Sequence, residues 1–262
     1  MLLQRLHAIA LVLYTSITMV LCWLVVIPAM IITRSGNPSI WIARKVWSPT
    51  IAMLAGLKLH VHGQENIPEG PAIFASNHES ALDITVLFLS LPRNSLRFIA
   101  KRELFQMPIF GWYMWAAGHI KVDRRNRAQA FASLQEAGRR IRGGASVIVY
   151  PEGTRSRDSR VHPFKKGPFI LAMEAQVPIV PIAIVGTSSL AVKGKFAAKP
   201  GTVHVSIGKP IDPRQFDDRV KLLKAARASI LEMHVAHGGL GGDPDDVAAV
   251  GVEGSAASAE MA

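Results

Sequence analysis

The sequence predicts an α/β protein: a mostly parallel mixed sheet of about seven strands flanked by helices, preceded by an N-terminal membrane helix and a second interfacial helix. Short apolar runs rich in β-branched residues alternate with helical patterns through most of the chain, whose 262 residues can bury one sizeable core. Near the N-terminus, 28 consecutive residues include no Asp, Glu, Lys or Arg. These observations divide the chain into an anchor over 1–57, an α/β domain over 58–237 and a disordered acidic tail over 238–262.

The uncharged run extends from Leu6 to Thr33. A helix needs roughly 20 apolar residues to cross a bilayer, so this run is long enough to span one with some tilt. A secretory signal would have a shorter apolar region followed by a small-residue cleavage site, and the sequence has neither. We therefore expect an uncleaved membrane helix that Pro28 bends near its end.

The segment that follows, SIWIARKVWSPTIAMLAGL from Ser39, combines tryptophan, basic and aliphatic residues. This combination suits a helix at the membrane interface, although an ordinary packed helix would also fit it. Arg34, Arg44 and Lys45 follow the membrane helix, whereas only Arg5 precedes it. The positive-inside bias thus predicts that the main domain lies on the cytoplasmic side of the cell (inner) membrane.

The charge distribution favours an anionic partner. The net charge is +11, and the segment from Arg93 to Lys166 holds 16 basic and 5 acidic residues. Such a surface suits an anionic membrane surface, a phosphate-bearing substrate or an acidic protein, and it also fits a solvated face with no function. Nucleic acid is not an expected partner, because the sequence has no zinc-finger spacing and no aromatic-rich RNA-binding signature. The one cysteine, Cys22, lies in the membrane helix, which fits a reducing compartment.

The α/β domain begins with a strand and continues as alternating strands and helices. Seven apolar runs predict strands that begin at Lys58, Ala72, Leu96, His119, Ser146, Ile179 and Val203. Periodic apolar patterns predict helices over Ala81–Leu91, Arg127–Arg142, Gly167–Gln176 and Arg214–Val235. The tail from Gly238 is rich in Gly, Ala, Ser and Asp without periodicity, so we expect it to be disordered.

The first candidate motif, NHESALD, joins the second strand to its helix. On one continuous helix, residues five apart differ by about 140° in azimuth, so His78 and Asp83 can meet only if the chain turns between them. An aspartate in the first helical turn could then orient the imidazole and stabilise its protonated form. The same residues also fit a purely structural interpretation, in which Ser80 and Asp83 form a capping box.

The second candidate motif, PEGTR from Pro151, follows the fifth strand. Gly153 permits a ligand to approach the backbone closely, and Glu152 and Arg155 lie where ligands bind in open α/β sheets. A guanidinium can bind a phosphate through paired hydrogen bonds, although a surface turn with a loose salt bridge would also fit. His60 and His62 share one strand face without a suggested third ligand, so we expect them to be structural and predict no metal site.

Four blocks in the same order and spacing resemble the glycerolipid acyltransferases, and the chain is most similar to the 1-acyl-glycerol-3-phosphate (lysophosphatidate) acyltransferase branch. NHESALD matches the N-H-x-x-x-x-D box and PEGTR the E-G-T-R box, while Phe98–Arg124 and Val177–Gly186 resemble the second and fourth blocks. The resemblance implies that His78 is the general base and Asp83 its orienting partner. The residues it implies in substrate binding are Glu152, Gly153, Thr154 and Arg155, with Arg155 on the acceptor phosphate, and secondarily Lys101 and Arg124.

The activity that the resemblance implies is transfer of a fatty acyl group from acyl-CoA or acyl carrier protein to the sn-2 hydroxyl of lysophosphatidate, giving phosphatidate at a membrane. The thioester is a co-substrate, and we expect no cofactor, metal or acyl-enzyme. Two alternatives stay open: another lysolipid acceptor, such as a lyso-ornithine lipid or a lysophospholipid, and a non-catalytic membrane scaffold. Helix Ala81–Leu91 and the aromatic block FGWYMWAAG either line an acyl channel or belong to the core.

Overall fold

The computed structural model describes residues 2–93, 95–108, 110–123, 127–190 and 200–242. Every predicted strand is present, and the strands are β1 (Leu57–His62), β2 (Ile73–Ser76), β3 (Leu96–Lys101), β4 (Ile120–Val122), β5 (Ser146–Val149), β6 (Ile179–Val185) and β7 (Gly201–Ile207). The helices are α1 (Leu2–Thr33), α2 (Asn37–Ile42), α3 (Ser48–Leu54), α4 (Leu82–Ser90), α5 (Phe110–Ala116), α6 (Arg127–Arg142), α7 (Gly167–Ala175), α8 (Thr187–Leu190) and α9 (Arg219–Ala236).

The strands form one sheet in the order β1-β7-β6-β2-β5-β3-β4. All neighbouring pairs are parallel except β6 and β7, which are antiparallel. The prediction of a mostly parallel mixed sheet of about seven strands is therefore confirmed. Strands β1 and β7 run opposite to the other five and occupy one end of the sheet.

Helices cover both faces of the sheet, which explains why its central strands β6, β2 and β5 are mostly apolar and buried along nearly their whole length. Successive side chains of β2 alternate between two cores. Phe74 packs in the core that contains Leu87 of α4. Ile73 and Ala75 pack in the opposite core with Phe169 of α7. This double cover leaves the carboxyl ends of the strands as the place where polar side chains can gather.

The N-terminal region is helical, as predicted. Counting only the residues that the structure describes, no helix is long and apolar enough to cross a membrane. The predicted membrane helix thus stays a prediction. The predicted second helix is divided into α2, a π-helical turn (Ala43–Trp47) and α3, with Pro49 in the first turn of α3. Because Pro49 has no N–H to donate, the regular α-helical hydrogen-bond pattern cannot continue through it.

Besides shifts of one or two residues at element ends, the structure differs from the prediction in three places. Helix α9 begins at Arg219 because Pro213 starts a separate 3₁₀ turn, capped by the Asp212 side chain. Helix α5 was not predicted as a separate element. Residues 238–242, placed in the disordered tail, are hydrogen-bonded into the domain; for example, Gly241 N–H donates to His234 Nδ1 over 3.1 Å. The rest of the predicted tail, 243–262, lies outside the described residues.

Candidate active site

The two sequence motifs meet at one edge of the sheet. NHESALD follows β2, PEGTR follows β5, and Thr187 begins α8 immediately after β6. Since β6, β2 and β5 are neighbouring parallel strands, their carboxyl ends deliver these three segments to the same place. The turn between β2 and α4 supplies the change of direction that the spacing of His78 and Asp83 requires.

Asp83 is fully buried and contacts the imidazole directly. Its Oδ2 lies 2.6 Å from His78 Nδ1, and it also accepts the backbone N–H groups of Glu79 at 2.7 Å and Ser80 at 2.9 Å. The Asp83 carboxylate therefore stabilises the turn and also orients the His78 ring. The structural interpretation (capping) and the functional one (orienting the histidine) are both compatible with these contacts.

Helix α4 begins at Leu82, one residue later than predicted, with Ala81 in the N-cap position. Ser80 is not the N-cap residue. Its hydroxyl accepts the N–H of Leu82 at 3.3 Å, and its own N–H donates to Asp83. The second contact is the reciprocal half of a capping box, displaced by one position.

The tautomer of His78 follows from its partner. Oδ2 of Asp83 is an acceptor that already accepts two N–H groups, so Nδ1 of His78 is the donor, and in the neutral imidazole Nε2 keeps its lone pair. The Tyr150 ring stacks on the imidazole with centroids 3.8 Å apart and planes inclined by 14°. Burial raises the pKa of Tyr150 well above its usual value, and the charge of Asp83 adds a smaller rise, so the phenol keeps its proton. The imidazole is thus fixed on one edge and one face.

The second motif holds the backbone of the first. Glu152 Oε1 accepts the N–H of His78 at 2.8 Å, and Oε2 accepts the N–H of His162 at 3.1 Å. Ser156 N–H donates to the carbonyl of His78 at 2.7 Å. Both backbone polar groups of His78 are therefore bound, one by Glu152 of the PEGTR segment and the other by Ser156, which follows it. Glu152 is only 5% exposed, and its predicted contact with an acceptor stays a prediction.

The other residues predicted to bind substrate line one cavity together with His78: Lys101, Gly153, Thr154 and Arg155. Arg155 is exposed, and Lys101 is ion-paired with Glu103 at 3.2 Å. Gly153 has a φ of 78°, a left-handed conformation that favours glycine, whereas the end of the Lys165 side chain, 2.9 Å from where a Cβ would lie, could move aside. Arg124 lies outside the described residues.

This cavity has a volume of about 410 Å³ and is mostly apolar. Helix α4 contributes Ile84 and Phe88, and α5 contributes Phe110 and Met114. Both predicted channel elements thus line the cavity, although part of α4 also belongs to the core. His119 lines it as well, and burial together with the charge of Arg97 lowers the pKa of His119 to about 3, so this imidazole is neutral.

The sequence did not predict the side chains that bond to Asp83 and Glu79 from the side away from the cavity. Thr187 donates its hydroxyl to Oδ1 of Asp83. Glu79, inside the first motif but without an assigned role, is bonded through Oε1 to Nε2 of His234 on α9 at 3.1 Å. Because Gly241 donates to Nδ1 of His234, Nε2 is the donor toward Glu79. Glu79 and His234 are 155 positions apart, and no local pattern links them.

Comparison with known proteins points to one family. The family model for acyltransferases matches residues 58–185. Three curated relatives are named 1-acyl-sn-glycerol-3-phosphate acyltransferase. The protein from Chlamydomonas reinhardtii is 38% identical over 177 residues, covering 66% of this chain and 52% of the relative. The chloroplastic protein from Arabidopsis thaliana is 38% identical over 191 residues, covering 72% and 52%. The protein from Pseudomonas aeruginosa is 35% identical over 169 residues, covering 64% of each chain.

The matched part of the chain thus spans about half to two thirds of the length of these relatives. A solved structure is similar over more of its length. The crystal structure of the 1-acyl-sn-glycerophosphate (LPA) acyltransferase PlsC from Thermotoga maritima has a TM-score of 0.77 and 27% identity, covering 87% of this chain and 93% of that chain.

Proposed function

Because the chain belongs to the acyltransferase family, we propose that it transfers a fatty acyl group from a thioester to the sn-2 hydroxyl of lysophosphatidate, giving phosphatidate. The observation that carries this proposal is the His78–Asp83 pair beside an apolar cavity whose lining includes Arg155. The names of the relatives support the same acceptor. The donor is acyl-CoA or acyl carrier protein.

In the proposed reaction, Nε2 of His78 takes the proton of the acceptor hydroxyl as its oxygen attacks the thioester carbonyl. Asp83 stabilises the imidazolium through the 2.6 Å contact at Nδ1. Collapse of the tetrahedral intermediate breaks the C–S bond, and the departing thiolate takes the proton from His78. The new ester bond forms as the thioester bond is lost, so atoms and charge balance.

Direct transfer suits the side chains present at this site. Cys22, the one cysteine of the sequence, belongs to neither motif. Ser80 is 3% exposed, and its hydroxyl accepts the N–H of Leu82. Its burial and its role in the turn disfavour it as a nucleophile. The oriented His78 therefore acts on the acceptor hydroxyl rather than on a protein nucleophile.

The acceptor phosphate is assigned to the exposed guanidinium of Arg155, which can bind two phosphate oxygens at once. Lys165, whose side chain lies against Gly153, adds positive charge beside the same loop. The apolar cavity is proposed to hold an acyl chain with its reactive end near His78. Neutral His119 suits this role, because an imidazolium would oppose burial of a hydrocarbon chain.

Membrane association is proposed from exposed apolar side chains close to the cavity. On α1, Leu24 and Val25 are 72% and 62% exposed, while their neighbour Val26 lines the cavity. On α5, Trp112 and Trp115 are 68% and 79% exposed, while Phe110 lines the cavity. Exposed tryptophan and aliphatic residues of this kind suit a membrane interface. Docking there, on the cytoplasmic side, would deliver acyl chains without passage through water.

The proposal is tested with the purified full chain in vesicles, offered a panel of acceptors with acyl-CoA and with acyl carrier protein thioester. The panel contains lysophosphatidate, a lysophospholipid whose phosphate is esterified to a head group, and a lyso-ornithine lipid. Products are measured by mass spectrometry. Phosphatidate should form fastest. Faster transfer to a different lysolipid would contradict the acceptor assignment, and no transfer from either donor would contradict an enzymatic function in favour of a scaffold.

A further inference from the structure

Three histidines from distant parts of the sequence meet at the β1 end of the sheet: His62, His204 and His237. Each offers one ring nitrogen, and the three nitrogens lie within 4.8 Å of one another. Nε2 of His62 and Nδ1 of His204 are only 3.3 Å apart. His62 and His204 are 142 positions apart, so the sequence showed only His60 and His62 and no third ligand.

The fold explains why these rings converge. Strands β1 and β7 are parallel neighbours, with His60 opposite His204 and His62 two residues further along the same face. Helix α9 packs against β6 and ends at Ala236, so His237 emerges beside the two strands. Its ring lies 4.3 Å from that of His62 and 5.0 Å from that of His204.

We propose that His62, His204 and His237 form a binding site for a divalent transition-metal ion of the Zn²⁺ class. Zinc binds imidazole nitrogen at about 2.0–2.1 Å, so two ligands of a tetrahedral zinc ion lie roughly 3.3–3.4 Å apart. The separation of His62 Nε2 and His204 Nδ1, 3.3 Å, has this value. The His237 nitrogen lies within 4.8 Å of the other two, so it would have to move closer to complete the site, and water would supply the fourth ligand.

The donor set and its position select the kind of ion. Imidazole suits zinc, nickel and copper, whereas magnesium and calcium prefer oxygen ligands, and this cluster offers three imidazoles. His62 is exposed, and the other two rings are half-buried, so an ion can enter from solvent. The near-parallel rings, inclined by 12° to 21°, also fit simple stacking without metal, and the experiment below separates the two arrangements.

The site would fasten the end of α9 to the sheet. His234, one turn before His237, donates to Glu79 of the first motif and accepts the N–H of Gly241. An ion that joins His237 to β1 and β7 therefore stabilises the helix end behind the candidate active site. This role does not depend on the proposed acyl transfer, because metal binding and thermal stability are measured without a substrate.

The test is calorimetric titration of the metal-free full chain with ZnCl₂. Wild type should bind one ion through this cluster, and its thermal midpoint should rise with Zn²⁺ concentration. His62→Ala and His237→Ala should each weaken binding by at least about 10- to 100-fold, since loss of even an outer partner of a metal ligand costs that much. His60→Ala is the matched control, because it removes an imidazole from the same strand face and should leave binding unchanged. MgCl₂ should not bind at this cluster.

Thermal midpoints in EDTA show whether each variant is folded. His204→Ala removes the third proposed ligand. If this variant fails to fold, His62→Ala and His237→Ala still show whether the cluster binds zinc. Wild-type affinity weaker than about 1 mM overturns the proposal, and so does equal affinity in wild type and His237→Ala. Either result would leave the three rings as a stacked, metal-free cluster.

Discussion

Replacement of Glu152 by Gln tests how the PEGTR segment supports His78. The carboxylate is buried and accepts one N–H at each oxygen, from His78 and from His162. Burial raises the pKa of Glu152 to about 7; its two backbone hydrogen bonds oppose this shift, and the charge of Asp83 adds to it. Gln keeps the shape and one acceptor, but its NH₂ group faces the second N–H donor.

The effect of pH follows from the direction of this shift. The pKa of Glu152 is raised from 4.5 to about 7 in the folded protein, so its favourable contribution is present below pH 4.5 and is lost as the pH rises to about 7. That difference corresponds to about 3 kcal/mol of unfolding free energy. Gln cannot titrate, so its contribution to stability is the same at every pH in this range. Between pH 4.5 and 8, the stability of Glu152→Gln relative to wild type should therefore improve by about 3 kcal/mol.

Urea unfolding of both proteins at a series of pH values measures this change. Glu136→Gln is the matched control, because Glu136 is more exposed and the adjacent Arg139 and Arg140 lower its pKa instead. Its relative stability should not improve as the pH rises. A stability difference between Glu152→Gln and wild type that is constant across the range would refute the assignment of a buried, proton-binding Glu152. In the acyltransferase assay, displacement of the His78 backbone should lower kcat by up to about 100-fold.

Three further predictions concern the acceptor, the membrane and the contact between His234 and Glu79. The KM for lysophosphatidate should rise in the order wild type, Arg155→Lys, Arg155→Ala. The total rise should be about 10- to 150-fold, because a hydrogen bond to a charged group contributes roughly 1.5–3 kcal/mol. A rise in the KM for the acyl donor alone would instead assign Arg155 to donor binding. Deletion of residues 1–33 should leave salt-sensitive binding to anionic vesicles in a flotation assay, and a variant with no vesicle affinity would rule out the interfacial role of residues 39–57. His234→Ala should lower the free energy of unfolding by roughly 1.5–3 kcal/mol, because it removes a buried hydrogen bond to the Glu79 carboxylate; a loss below about 0.5 kcal/mol would show that this contact does not stabilise the fold.

Local patterns predicted the parts of the structure that depend on neighbouring residues. The apolar runs identified all seven strands, and the turn that His78 and Asp83 require is the turn between β2 and α4. The site itself was predictable because both motifs follow parallel strands, whose carboxyl ends meet at one edge. The positions of Lys101, Gly153, Thr154 and Arg155 in one cavity agree with this reasoning.

The missed features depend on contacts between distant residues. Glu79 meets His234 only because α9 packs on β6, and His62 meets His204 only because β1 and β7 are paired. No periodicity in the sequence encodes either pairing. Glu152 was interpreted from its motif as facing a ligand, whereas its carboxylate is bonded to two backbone N–H groups, a contact that only the folded turn creates. Residues 238–242 were predicted to be disordered, but a tertiary contact holds them in the domain, since Gly241 donates its N–H to the buried His234.

The most direct test of the proposed function is the rate of phosphatidate formation by wild type, His78→Ala and Asp83→Asn, measured on proteins with matched circular dichroism spectra. The general-base assignment predicts that wild type transfers the acyl group and that His78→Ala lowers kcat by roughly 10²–10⁴-fold or more. Asp83→Asn should lose most of its activity as well, because Nδ1 of His78 loses its carboxylate partner. A folded His78→Ala protein with the wild-type rate would contradict the account.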